Sequence, residues 1–97
     1  MSHTLEEFLG KANQKGAIFK DPILQSLYLI KQDDWEGAHN IAQDEHNKFG
    51  SLVHGYLHRI EGDNWNASYW YRQAGEKDFK GSFDEEWIHI VKLYLDR

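Results

Sequence analysis

Apolar residues recur three and four positions apart through most of the chain, and nowhere do they alternate for long enough to make a strand. Leu5, Phe8, Leu9 and Ala12 predict a helix over about residues 4–13. The stretch "GKANQKGAIFKD", with two glycines and no clean period, reads as a connection. Asp21 and Pro22 then read as an N-cap and first helical residue. They open "PILQSLYLIKQ", a helix apolar on more than one side and therefore central. Asp34 caps the next helix, whose stripe is Trp35, Ala38, Ile41 and Ala42, and "HNKFG" breaks that pattern. "SLVHGYLHRIEG" carries Leu52, Val53, Tyr56, Leu57 and Ile60 on one face and stops at Gly62. Asn64 reads as the cap of "WNASYWYRQAG", with Ala67, Trp70, Tyr71 and Ala74 as core stripe and Gly75 at its end. Ser82 and Glu85 form a capping box ahead of a last helix at about 83–96, with Trp87, Ile88, Val91 and Leu95 facing inward. The prediction is an all-α chain of about six helices joined by short loops.

A repeat lies inside this pattern. "DDWEGA" (33–38) and "GDNWNA" (62–67) both set an acidic turn and a Trp ahead of an Ala, and aligning Ala38 with Ala67 gives an offset of 29 residues. Such a period points to stacked helical hairpins, here units of about 22–45 and 50–75 within one domain spanning 1–97. Small side chains at Ala38, Gly55 and Ala67 let paired helices approach closely. The spacing Gly55, Gly62, Ala67, Tyr71, Ala74 resembles one tetratricopeptide or Sel1-like unit. The resemblance covers residues 22–74 and is closest over 52–74. Ser26 stands where the first unit would carry Gly, and Glu45 where it would carry Ala. The resemblance implies N- and C-terminal capping helices and a groove that binds a protein or peptide. The fuller pattern "WEGAHNIAQD … HGYLHRIEGDNWNASYWYRQAG" also looks like a group of small bacterial proteins, which supports the fold and implies no activity.

Composition narrows the function classes. The 97 residues suffice for one small domain, and fourteen aromatic side chains supply its core area. With no cysteine there is no disulfide, thiolate metal site or cysteine nucleophile. The formal charge is -5 and the eleven Lys and Arg are dispersed, so nucleic acid is not an expected partner. No apolar run approaches the roughly 20 residues of a membrane span, and "MSHTLEEFLG" does not read as a signal peptide. The expectation is a cytoplasmic protein with no membrane partner.

The candidate chemistry centres on "HGYLHRIEGD". On a helical wheel His54, His58 and Glu61 fall on one side, away from that helix's own apolar face, and so meet either solvent or a neighbouring helix. With Trp65, Tyr69 and Arg72, a second stripe on the following helix, they make a His, aromatic and Arg surface for a protein, a peptide or a second copy of the chain. Arg59 and Arg72 are placed to hold a carboxylate of such a partner. The expected module is non-enzymatic and needs no cofactor. There is no P-loop, no G-x-S-x-G and no dinucleotide fingerprint, and Gly55 stands where a zincin would carry its Glu. The alternative is a zinc site for binding or hydrolysis, on His54, His58 and Glu61 with His39 as a further ligand.

Overall fold

In a computed structural model the described residues are 4–97, and they form six α-helices with no strand among them. Helix α1 is Leu5–Ala12, α2 Pro22–Lys31, α3 Trp35–Asp44, α4 Lys48–Ile60, α5 Asn64–Gln73 and α6 Phe83–Leu95. Each start has a local cause. Thr4 and Glu7 form a capping box on α1, as Ser82 and Glu85 do on α6. Asp21 accepts from the backbone of Ile23 and Leu24 ahead of Pro22. The cap of α5 is Asp63, whose carboxylate accepts from Asn66 N at 3.2 Å; Asn64, the expected cap, is already helical. Helix α4 begins within "HNKFG": Asn47 accepts from Gly50 N at 2.9 Å, so a polar cap overrides the apparent break.

Helices α2 and α3 fold back on each other, as do α4 and α5, each pair through a three-residue turn. The two turns share one pattern at the 29-residue offset. Asp34 N donates to Leu29 O and Asp63 N to His58 O, each at 2.9 Å. Asp33 (φ 62°) and Gly62 (φ 87°) hold the left-handed position that closes each turn. The close contacts repeat as well. Buried Ser26 donates to Ala38 O at 2.8 Å between α2 and α3. Between α4 and α5, a Cβ on Gly55 would come within 3.1 Å of the Tyr71 ring and 3.2 Å of Ala67 O.

The terminal helices cover the stack. Phe8 of α1 stacks on Trp87 at 5.8 Å, and Trp87 Nε1 donates to Leu27 O at 2.9 Å. Helix α6 buries Glu86, Trp87, Ile90, Val91 and Tyr94. That face is turned from the expected stripe: Ile88 and Leu95 lie at its partly buried margin. The turn follows from Glu86, whose carboxylate accepts from Tyr71 Oη at 2.6 Å and Arg59 Nη1 at 2.9 Å and so enters the interior. No helix among the described residues is long and apolar enough to cross a membrane.

Candidate functional site

The joint between the hairpins, where α3 meets α4, brings three imidazoles together. His39 comes from α3, one turn beyond Trp35; His54 and His58 come from successive turns of α4. The Nε2 atoms of His39 and His54 lie 3.0 Å apart. Ring centroids are 4.8 Å apart for His54 and His58 and 5.5 Å for His39 and His58. One ligand atom from each of the three falls within 4.8 Å of the other two.

Their surroundings lock these rings. Trp35 donates its Nε1 proton to Leu57 O at 2.8 Å, and its indole lies flat on His39 at 4.8 Å. The Trp70 indole lies flat on His54 at 4.0 Å. His58 has Nδ1 held by Glu61 Oε1 at 2.6 Å, where Glu61 caps the C-terminus of α4. His54 and His58 are 7% and 9% exposed, so these two rings meet neighbouring helices, while Glu61 at the end of the stripe still reaches solvent. Burial, reinforced by the nearby His39 and His58, drives the His54 pKa down to about 4. Burial also lowers that of His39, again with His58 adding to the effect. At neutral pH both rings are therefore uncharged, and their facing Nε2 atoms share one hydrogen bond.

The surface expected to unite seven residues divides into three places, and His39, expected only as a further zinc ligand, joins one of them. His39, His54 and His58 form the cluster, with Glu61 at its edge. Arg59 points elsewhere: its guanidinium bonds Glu86 and the Gly81 carbonyl and lies 4.8 Å over Phe83. It does hold a carboxylate, but an internal one. Trp65, Tyr69 and Arg72 lie along the outer side of α5. Trp65 is 81% exposed and Tyr69 42%, Tyr69 meeting Trp70 edge to face at 5.2 Å. Arg72 is exposed and forms no ion pair among the described residues.

Two features escaped the sequence reading. Trp35 and Trp70, expected on core stripes, are half-buried walls of the histidine cluster. Glu86, outside the inward stripe expected for the last helix, is 1% exposed. Its position four before Ile90 on a helix already buried at Trp87 was the available signal. Burial raises its pKa, against the pull of the Tyr71 hydroxyl and Arg59, and the same burial raises that of Tyr71.

Fold and site together define an all-α protein of two stacked hairpins with a shielded histidine cluster at their joint and an exposed aromatic stripe on α5. No family model, curated protein or solved structure matches the chain.

Proposed function

We propose that this is a non-enzymatic recognition module that binds a protein or peptide segment through Trp65, Tyr69 and Arg72. The observation that carries the reading is the exposure of Trp65. Folding leaves this indole in water at 81% exposure, while the other three tryptophans are buried or half-buried. Tyr69 and Arg72 follow it at i+4 and i+7, so two aromatic rings and a cation with no ion pair among the described residues share one face. Aromatic and Arg side chains of this kind dominate binding energy when a partner covers them. The fitting partner is a segment with an apolar side chain next to a carboxylate, the apolar group on the rings and the carboxylate on the Arg72 fork. The repeated turn geometry at a 29-residue offset supports reading the frame as tetratricopeptide- or Sel1-like, with the absence of cysteine suiting a cytoplasmic setting.

Selection of random peptides on the immobilised chain tests this. Enriched sequences should pair an acidic with an apolar residue and lose binding to the double variant Trp65→Ala, Arg72→Ala, which should retain its helicity because both side chains lie outside the core. Equal enrichment on the double variant would remove the α5 face from the reading.

A further inference from the structure

We propose that His39, His54 and His58 are the protein ligands of a single divalent ion of the zinc type, bound at the joint between the two hairpins. The inference stands apart from the α5 face and rests on the placement of nitrogen atoms. Two rigid helices deliver the three imidazoles, α3 giving one and α4 two at i and i+4, so no loop must reorder to bring them together. The 3.0 Å between His39 Nε2 and His54 Nε2 is close to the roughly 3.3 Å that two zinc–nitrogen bonds of about 2.0–2.1 Å span at a tetrahedral angle. Small ring rotations therefore admit an ion where those two nitrogens now share a proton.

One ligand, His58, has the outer hydrogen bond typical of metal-bound histidine. Glu61 takes Nδ1 of His58, leaving Nε2 as the nitrogen for the ion. Trp35 and Trp70 fix the ring planes of His39 and His54 and shield the site. A packing role would call for aromatic surface in these positions, which Phe or Tyr would supply. It does not call for three nitrogens converging within 4.8 Å. The donor set also selects the ion. Three imidazole nitrogens with no thiolate suit zinc and its first-row neighbours and disfavour calcium or magnesium, which take oxygen ligands. Three protein ligands leave a fourth position for water or a small anion, on the half-buried His39 side.

The adjacent group His58, Glu61 and Asp63 offers no second site on the same footing. Asp63 is engaged in capping α5, and Glu61 in holding His58. One ion per chain is thus the expected stoichiometry.

The test is calorimetric titration of zinc chloride into tag-free, chelator-stripped full-length chain at neutral pH, with cobalt(II) absorption as a second readout. The expected result is one equivalent bound, with the intense visible bands of four-coordinate cobalt. His39→Phe and His54→Phe keep the ring stacks and should abolish both signals. Glu61→Ala alters a half-exposed side chain and should weaken zinc by about 10–100-fold. If a His→Phe variant fails to fold, as judged by circular dichroism, Glu61→Ala carries the comparison. Absence of zinc uptake by the parent chain, or uptake unchanged in folded His39→Phe and in Glu61→Ala, would overturn the proposal.

Discussion

At the scale of single residues, the histidine cluster and the helix-contact glycine carry the sharpest expectations. His54 accepts a proton near pH 6.5 in the unfolded chain but resists it down to about 4 in the folded one. Between those values the unfolded state binds more protons, so falling pH favours it. The metal-free protein should therefore be fully stable above about pH 6.5 and lose stability as pH drops toward 4. Urea midpoints measured across that window check this, and His54→Phe should flatten the profile. Gly55 sets two effects against each other. Alanine would gain roughly 0.5–1 kcal/mol of helix preference, but overpacking a tight contact costs typically 1–3 kcal/mol. The added carbon would face the Tyr71 ring and a backbone oxygen, and the latter cannot rotate aside. Gly55→Ala should thus destabilise by about 1–2 kcal/mol. Gly10→Ala in α1, with nothing within 4 Å, should stabilise by about 0.5–1 kcal/mol; thermal unfolding of both variants distinguishes the cases.

At the scale of elements, helix starts were legible and helix faces less so. Asp21 with Pro22, Asp34, and Ser82 with Glu85 announce α2, α3 and α6, because capping is a local transaction between a side chain and the next turn's N–H groups. Where two polar residues compete, as Asp63 and Asn64 do, the turn decides: Gly62 takes the left-handed position and leaves Asp63 at the boundary. Asp34 and Asp63 occupy equivalent places 29 residues apart and each accept one backbone N–H, at 2.9 and 3.2 Å. Asp34→Ala and Asp63→Ala should therefore cost similar amounts, about 1 kcal/mol each, as read from chemical denaturation. A markedly larger cost at one would show that the two turns are not equivalent in energy. The inward face of α6 was misplaced for a physical reason. A carboxylate counts as polar in any periodic pattern, yet Glu86 finds Tyr71 and Arg59 inside.

At the scale of the whole molecule, that polar contact ties the C-terminal helix to the second hairpin. Glu86 of α6 meets Arg59 of α4 and Tyr71 of α5 at 1% exposure. Removing one partner strands the other, and breaking a buried pair this way typically costs 3–5 kcal/mol. Arg59 retains some access to water, so Glu86→Ala is expected toward the lower figure, about 3 kcal/mol. Replacing both groups, as in Glu86→Leu with Arg59→Met, should recover much of that loss, since no charge then remains buried; a thermal melt of the pair measures the coupling. The charge balance also changes in the folded molecule. Six histidines would carry the acidic chain toward neutrality near pH 6, but His54 is held neutral there and burial also disfavours the charged form of His39, so the approach is smaller than composition implies.

The sequence by itself determined the helices, their order, the small contacts at Ala38, Gly55 and Ala67, and the candidate residues. All of these follow from periods of three and four and from caps that act within one turn. Which face of each helix was left outside was decided only by tertiary packing. His54 and His58 point away from the apolar face of α4, and the arrival of α3 and α5 on that side turned a polar stripe into a shielded cluster. Trp65 lies one residue from the helix start of α5 and stays 81% exposed. The wheel that groups side chains along one rod is silent on where the next rod lies, because that position depends on contacts between residues far apart in the chain.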